Sequence, residues 1–291
     1  MKHEVRGKWS AVRGVNRREF VQTMAAVGAT TLLCRAPRTA YPARLDKVGL
    51  QLYTVRDLMK ADFEGTLARV AQIGYKEVEF AGYFNRAPSE VKAMLDRHGL
   101  SAPSTHVPFE SDDQWKAALD AAKTIGHEYI VMPWIPAERR KTLDDWKNFA
   151  QVFNHAGQTA HDAGIQFAYH NHDFEFPKMD GQVPYDVLLQ NTDPKLVQLE
   201  IDLYWITKGG QDPLAYFARW PGRVPLVHVK DSAGAPDNKI VDVGQGKIDW
   251  KRIFAKREQA GTKHFFVEHD QPPQPFDDIA ASYKYLSQLE F

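Results

Sequence analysis

One complete unit of the fold is contained in residues 143–170, which read LDDWKNFAQVFNHAGQTAHDAGIQFAYH. In the segment Leu143–Ala163, apolar side chains recur at steps of three and four residues and so share one face of a helix: Trp146, Phe149, Ala150 and Phe153. Gly164 follows, and a glycine just past a helix readily adopts the left-handed conformation that ends it. The apolar run Ile165–His170 then has the character of a buried strand. The stretch therefore predicts a helix, a glycine stop and a strand.

The same unit recurs along the chain from Lys47 onward. Short apolar runs predict eight strands: Val48–Tyr53, Glu77–Phe80, Ser101–Val107, Tyr129–Met132, Ile165–His170, Val197–Asp202, Pro225–Lys230 and His264–Glu268. Segments of helical period alternate with these strands: Asp62–Ile73, Ser89–His98, Asp112–Ile125, Leu143–Ala163, Tyr185–Asn191, Pro213–Arg219, Trp250–Ala260 and Asp277–Gln288. A glycine again separates helix from strand at four further places: Gly74, Gly99, Gly126 and Gly261.

Eight strand–helix units in a body of this size predict a closed (β/α)8 barrel, the TIM-barrel architecture. The rival α/β architecture is a doubly wound open sheet, which is typified by a Gly-rich phosphate loop after its first strand. The segment that follows Tyr53 contains no such loop. No linker or shift of composition divides residues 44–291, so we predict that they form one domain.

The charge of the chain is divided unevenly between its two parts. The 291 residues carry 37 Lys+Arg and 37 Asp+Glu, but residues 1–43 hold eight of the basic side chains and two of the acidic ones. The body is therefore acidic and lacks the excess of Lys and Arg that nucleic-acid or anionic-membrane binding requires. The single cysteine, Cys34, excludes a disulfide framework, a Cys-ligated zinc site and a cysteine nucleophile in the body.

The first 43 residues have the pattern of a twin-arginine export signal. Arg17 and Arg18 precede Phe20, and an apolar stretch of small residues, Ala25–Leu33, comes next. That stretch is too short for a permanent membrane anchor. We therefore expect the Tat export machinery to be a partner, cleavage near Ala43 or Ala40, and a periplasmic or secreted mature protein. The alternatives are a fortuitous basic amphipathic helix and, because of Cys34, a lipoprotein.

Polar side chains follow the ends of four successive predicted strands. These ends read His170-Asn171-His172-Asp173, Glu200-Ile201-Asp202, His228-Val229-Lys230-Asp231 and Glu268-His269-Asp270. Because the carboxyl ends of barrel strands surround one point, we expect an imidazole or carboxylate from each strand to converge there. Mixed nitrogen and oxygen ligands suit Mn²⁺, Zn²⁺, Co²⁺ or Fe²⁺. Simpler interpretations are hydrogen-bonded histidines, a helix cap at Asp202 and an internal ion pair at Glu200.

The chain resembles the xylose isomerase-like TIM barrel superfamily, which includes sugar phosphate isomerases/epimerases and inosose dehydratases, over about Val48–Glu290. The resemblance rests on His228-Val229-Lys230-Asp231 followed by Gly244-Gln245-Gly246-Lys247-Ile248-Asp249-Trp250, on Glu268 closing strand eight and on Asp202 ending strand six. It implies one divalent metal held by Glu, Asp, His and Glu from strands five to eight. Asp202, His228 and Glu268 match that set, whereas His170 stands where the first glutamate is expected.

The resemblance implies a metal-dependent sugar isomerase or epimerase that works through an enediolate, with Glu268 as one of its two proton-transferring glutamates. Because His170 replaces the other glutamate, a lyase or dehydratase acting on a keto-sugar or 3-keto-glycoside is the alternative. His170 or His172 can act as the base, Glu175 is a further acid/base candidate, and Lys230 can hold an oxyanion or a leaving hydroxyl. The other interpretation of Lys230 is an ion pair with Glu200 or Asp202.

Other strand ends supply candidates for contact with a carbohydrate substrate: Gln51, Tyr53, Glu79, His106, Trp134 and Trp205. Aromatic rings among them can stack on sugar faces. Two further functions are weighed against a sugar enzyme. An abasic-site endonuclease is disfavoured because Trp205 stands where such relatives need a strand-six histidine, and a sugar-binding barrel without catalysis is the third possibility. The sequence is compatible with a homo-oligomer.

Overall fold

The computed structural model describes residues 43–291, so the predicted export signal lies outside the described residues except for Ala43. Eight parallel strands form a closed barrel: β1 (Gly49–Gln51), β2 (Glu77–Phe80), β3 (Ser101–His106), β4 (Tyr129–Met132), β5 (Gln166–His170), β6 (Val197–Asp202), β7 (Leu226–Val229) and β8 (His264–Val267). Each strand pairs with its neighbours in sequence, and β8 pairs with β1 through Gly49 and Phe266. The predicted (β/α)8 barrel is therefore confirmed, and the open sheet is excluded.

The helices lie between these strands. They are α1 (Arg56–Ala61), α2 (Phe63–Ile73), α3 (Pro88–His98), α4 (Asp112–Ile125), α5 (Leu143–Asp162), α6 (Pro184–Gln190), α7 (Leu203–Lys208), α8 (Pro213–Arg219), α9 (Trp250–Phe254), α10 (Arg257–Ala260) and α11 (Pro275–Gln288). The apolar face of α5 is buried as its periodicity predicts, and Gly164 after it has φ +79°. Within residues 43–291, no helix is both long enough and apolar enough to span a bilayer.

The structure differs from the predicted elements at three places. Strand β1 stops at Gln51 rather than Tyr53, because the Gln51 side chain accepts the Tyr53 N–H at 2.9 Å and starts a 3₁₀ turn over Leu52–Val55. The helix predicted for Trp250–Ala260 is broken into α9 and α10. Helix α1 was not predicted, whereas α7 follows Asp202, for which a helix cap was one of the interpretations.

An apolar layer fills the interior of the barrel below the carboxyl ends of the strands. Five buried side chains form a separate apolar cluster: Tyr129, Val131, Ala168, Leu226 and Phe266. Ala168, Leu226 and Phe266 lie two residues before His170, His228 and Glu268, respectively, and side chains two apart on a strand point to the same face. The apolar cluster therefore forms the floor beneath the polar groups at the strand ends.

Candidate metal centre

Four side chains from β5 to β8 converge at the carboxyl end of the barrel. They are His170, Asp202, His228 and Glu268, each offering one ligand atom, and these atoms all lie within 4.8 Å of one another. Nδ1 of His228 is 2.8 Å from Oε2 of Glu268 and 3.9 Å from Oδ2 of Asp202. Nε2 of His170 is 4.0 Å from the same Asp202 oxygen. The structure thus brings together the four predicted ligands, all of them buried.

Asp202 uses its two carboxylate oxygens for different purposes. Oδ1 accepts the N–H groups of Tyr204 and Trp205 at 2.9 and 2.8 Å, which caps α7 at its first residue. Oδ2 faces the cluster, is buried, and lies 3.0 Å from the Lys230 ammonium. The helix cap and the ligand role predicted for Asp202 are therefore compatible, since the cap orients the remaining oxygen toward the centre.

Two buried glutamates lie beneath the cluster and hold its imidazoles. Oε2 of Glu200 is 2.6 Å from Nε2 of His106, 3.2 Å from Nδ1 of His170 and 3.2 Å from Nε2 of His228. Oε2 of Glu79 lies 2.7 Å from Nε2 of His228. Carboxylates behind ligand histidines fix the ring orientation and tautomer and increase the basicity of the nitrogen that faces the metal. The ion-pair interpretation of Glu200 is consistent with these contacts.

Gln51 and Glu79 do not reach the cleft, although both are predicted to contact the substrate. Both side chains are fully buried, and Gln51 donates to Glu79 at 2.8 Å. Ser104 donates to the other Glu79 oxygen at 2.5 Å. These contacts place the pair under the cluster, where it supports His228.

Opposite charges in this buried cluster shift one another's pKa values. Burial alone would lower the pKa of His228, but Glu200 and Glu268 outweigh it and hold that pKa well above its ordinary value. Burial alone would raise the pKa of Glu268, but Lys230 and His228 hold it well below the usual range. Burial raises the pKa of Asp202 to about 6, although Lys230 opposes the shift. These carboxylates therefore favour the protonated form of His228 as long as no metal takes the place of its proton.

The residues present fit a divalent cation. Five carboxylates surround this point, those of Glu79, Glu200, Asp202, Glu268 and Asp270, while Lys230 and His228 supply the compensating positive charge. Buried charge of one sign is costly unless it is paired. Carboxylate and imidazole donors are those that Zn²⁺, Mn²⁺, Co²⁺ and Fe²⁺ take in proteins. The proton on His228 contributes one buried positive charge. A divalent metal that displaces this proton would contribute two.

Lys230 is placed between the cluster and the cleft above it. Its Nζ lies 3.0 Å from Oδ2 of Asp202, 2.8 Å from Oε2 of Glu268 and 2.9 Å from Oδ1 of Asp270. Burial would lower the pKa of Lys230, but these three carboxylates hold it well above its ordinary value. The predicted pair with Asp202 is therefore present, and Asp270 is a further partner that the sequence pattern did not indicate.

A cleft of about 540 Å³ opens over the cluster. Its walls include His106, His170, His172, Lys230, Glu268 and Asp270, and its outer part includes Tyr53, Arg56, Pro108, Pro133, Trp134 and Gln271. Tyr53 and Trp134 are 43% and 51% exposed, unusually high for aromatic side chains. Their exposed rings at the mouth fit the prediction that they contact a substrate.

The remaining predicted residues are arranged around His172. Its ring packs on Trp205 at a centroid distance of 5.4 Å, and burial lowers its pKa to about 3. Trp205 is half-buried, and its ring lies 5.2 Å from Nζ of Lys230. Glu175 is fully buried behind β5, where its carboxylate accepts the Tyr169 hydroxyl at 2.7 Å and the His172 N–H at 3.0 Å. The structure therefore brings His172 to the cleft but gives Glu175 a supporting position.

The glycine-containing segment after β7 is organised by Asp231. Its carboxylate accepts the backbone N–H groups of Ser232, Gly244, Gly246 and Ile248 and the indole N–H of Trp250, over distances of 2.8–3.3 Å. A Cβ at Gly246 would lie 2.0 Å from Oδ1 of Asp231, so this close approach requires glycine. The aspartate next to Lys230 thereby anchors the connection from β7 to α9.

A closed parallel barrel with a candidate metal centre at the ends of β5 to β8 defines the class of this protein. The chain belongs to the xylose isomerase-like TIM barrel family, whose sequence model matches residues 67–289. It is 25% identical over 268 residues to inosose dehydratase of Lacticaseibacillus casei, covering 77% of this chain and 88% of that protein. Inosose dehydratase of Geobacillus thermodenitrificans is also 25% identical, with the same coverage of each chain.

Solved structures share the fold of this chain. A sugar phosphate isomerase/epimerase from Parabacteroides distasonis superposes with a TM-score of 0.73 and 30% identity, over 87% of this chain and 96% of that one. The IolI protein with a bound zinc atom superposes with a TM-score of 0.67 over 82% of this chain and 95% of that one. At 17% identity, that likeness supports the fold alone. The family thus includes enzymes named as dehydratases and as sugar isomerases or epimerases.

Proposed function

We propose that the protein is a divalent-metal-dependent lyase that eliminates water or an aglycone from a keto-sugar or related polyhydroxylated ketone. The observation that carries the proposal is His170, an imidazole at the position where the two-glutamate isomerase mechanism needs a carboxylate. The relatives named inosose dehydratase support the same choice. Elimination, which the sequence left open as the alternative, is therefore favoured over isomerisation.

His170, Asp202, His228 and Glu268 would hold the metal. When bound, a divalent metal supplies Lewis acidity that polarises a ketone oxygen and acidifies the adjacent C–H. Glu200 and Glu79 keep the two imidazoles oriented from behind. The apolar floor below them excludes water from the barrel side, which strengthens electrostatic interactions within the site.

A base and an ammonium group line the same cleft. Burial keeps the His172 imidazole neutral, so it can accept, transiently, the proton from the acidified carbon next to the carbonyl, and the C–H electron pair becomes the new C=C bond. Lys230, whose pKa is held well above its ordinary value, stays protonated and holds the departing β-oxygen, while the proton taken up by His172 passes to that oxygen as the C–O bond breaks with release of water or an alcohol. The Tyr53 and Trp134 rings at the mouth offer flat surfaces to the part of the substrate that is not reacting.

Isomerisation or epimerisation is the second candidate, because the Parabacteroides distasonis structure at 30% identity is a sugar phosphate isomerase/epimerase. Incubation of the metal-loaded protein in D₂O with keto-sugars and 3-keto-glycosides separates the two reactions. Elimination predicts release of water or aglycone together with an unsaturated ketone, which absorbs in the near ultraviolet. Deuterium at the α-carbon without release would favour isomerisation. The absence of turnover would favour the sugar-binding barrel.

The metal centre predicts about one divalent metal per chain in protein purified without chelators. His228→Ala and Glu268→Ala should each abolish stoichiometric binding, because each removes a buried ligand atom. His264→Ala is the matched control, since His264 lies on β8 at the opposite end of the barrel, paired with Glu77 at 2.8 Å. Elemental analysis checks all three variants, and full metal content in both ligand variants would rule out this site.

A further inference from the structure

Lys230 contacts two members of the candidate ligand set and one carboxylate outside it. Nζ is 3.0 Å from Oδ2 of Asp202 and 2.8 Å from Oε2 of Glu268, the oxygens that face Nδ1 of His228. The third carboxylate belongs to Asp270, whose Oδ1 lies 2.9 Å from Nζ. Asp270 is two residues beyond Glu268 and lines the cleft.

The position of Asp270 is set by the segment that follows β1. Its backbone carbonyl accepts a hydrogen bond of 2.8 Å from Nη1 of Arg56, and the adjacent His269 N–H donates to Oγ1 of Thr54 at 3.0 Å. The Arg56 guanidinium lies over the Tyr53 ring, 4.1 Å from its centroid. The backbone of Asp270 is therefore held at the cleft wall independently of Lys230.

An ammonium and a divalent metal compete for the same two oxygens. Like charges repel strongly at such distances in a buried site, where solvent screens them poorly. A lysine paired only with Asp202 and Glu268 would thus oppose metal binding. With a third carboxylate on the cleft side, the ammonium has a partner that the metal does not need.

We propose that Asp270 is a positioning residue that draws Lys230 away from Asp202 and Glu268 when the metal binds. Its carboxylate keeps the ammonium on the cleft side, where Lys230 faces the substrate, and so allows metal and lysine to coexist. The inference rests on the proposed function, since it assumes a metal held by the four ligands. The Trp205 ring, 5.2 Å from Nζ, gives the displaced ammonium a second favourable contact.

The test is a double-mutant cycle on the affinity for Mn²⁺ alone, measured on the full chain from the electron paramagnetic resonance signal of the free ion. Asp270→Asn should weaken Mn²⁺ binding about tenfold, the lower end of the usual effect of a residue behind a metal ligand. Lys230→Met should strengthen it, because the competing charge is gone. Asp270→Asn made in the Lys230→Met background should then change the affinity less than twofold, and Asp270→Glu should retain near wild-type affinity.

Asp173→Asn is the matched control. It removes the same charge at the same end of the barrel, but its partner is Lys208, at 3.0 Å, and not Lys230. Melting temperatures of the metal-free variants identify any that are misfolded, and Asp270→Ser replaces Asp270→Asn in the cycle if the latter does not fold. If the Asp270 substitution weakens Mn²⁺ binding equally in the wild-type and Lys230→Met backgrounds, the positioning role is wrong. That result would not contradict the metal centre itself. A wild-type protein that binds neither Mn²⁺ nor Zn²⁺ would overturn the proposed function as well.

Discussion

Glu200 contacts three imidazoles, those of His106, His170 and His228, through one carboxylate oxygen. Burial would raise its pKa, but His228 and His106 hold it well below the usual range, so the group is a carboxylate at neutral pH. Its other oxygen, Oε1, is buried and has no hydrogen-bond partner among the described residues. One side chain thus orients both ligand histidines from below.

Glu200→Gln should therefore weaken metal binding by about ten- to a hundredfold while the barrel remains folded. The amide is nearly isosteric but no longer provides the negative charge that keeps the imidazoles oriented. Glu77→Gln is the matched control, because Glu77 is also a buried barrel glutamate paired with a histidine, His264, but lies at the opposite end. Metal titration of both variants checks this, and equal affinities would show that Glu200 has no role in the centre.

His127 is a buried histidine away from the candidate metal centre. It is 5% exposed, with Nδ1 2.5 Å from the Ala102 carbonyl and Nε2 2.9 Å from the Tyr83 hydroxyl. Burial lowers its pKa from 6.5 to about 4. The folded state therefore holds the neutral ring at pH values where the unfolded chain already binds a proton.

This difference predicts a loss of stability in acid. The contribution of the neutral His127 ring to the free energy of unfolding is fully present above pH 6.5. It declines as the pH falls toward 4, by about 3 kcal/mol in total. His127→Asn, which keeps a donor for the Ala102 carbonyl, should flatten the decline over this interval. His155→Gln, on the exposed side of α5, should leave the wild-type profile in place. Urea unfolding at pH 7, 6, 5 and 4 provides the measurement, and parallel profiles for wild type and His127→Asn would contradict the assignment.

The connection from β7 to α9 shows how one residue organises an element. Asp231 gathers N–H groups from both ends of the segment, and the short hairpin of Asp231–Ser232 with Ile240–Val241 closes its middle. Lys230 immediately precedes this anchor. The geometry of the loop and the direction of the Lys230 side chain are thus set together.

Asp231→Asn should lower the free energy of unfolding by about 2–3 kcal/mol, because an amide NH₂ cannot accept the N–H groups that now point at the second oxygen. Asp249→Asn is the matched control. Asp249 caps α9 by accepting the Arg252 N–H at 3.0 Å, and asparagine caps helices about as well as aspartate. Urea denaturation compares the two, and a similar small loss for both would show that Asp231 is not the anchor of the segment.

At the scale of the whole molecule, the site exists only because the sheet closes. Three ligands lie on β5 to β7 and Glu268 directly follows β8, whereas Glu79 and Gln51, which support His228 from below, lie on β2 and β1. Closure between β8 and β1 brings these two groups of strands together across the barrel. The apolar cluster of Tyr129, Val131, Ala168, Leu226 and Phe266 then seals the other side.

Residues 1–43 lead to a prediction for the full chain. We propose that the twin arginines Arg17 and Arg18 direct export of the folded protein. Replacing both arginines with lysine should leave the protein in the cytoplasm without changing the charge of the segment. Immunoblots of periplasmic and cytoplasmic fractions report the outcome, with replacement of Lys2 and Lys8 by arginine as the matched control. Equal export of the Arg17/Arg18 variant and the wild type would contradict the signal.

Local sequence patterns alone determined most of the strands and helices of this protein. Helical periodicity, apolar runs and glycine stops depend on neighbours in sequence, so they predicted the eight strands to within a few residues and placed Asp202, His228 and Glu268 at strand ends. Tertiary structure alone decided which oxygens and nitrogens meet. The pairing of Glu79 with His228 joins residues 149 positions apart, and Asp270 approaches Lys230 only after the barrel closes. Glu175 is near His172 in sequence but is held behind β5 by Tyr169. Such contacts depend on register and closure across all eight strands, for which a single sequence carries no local signal.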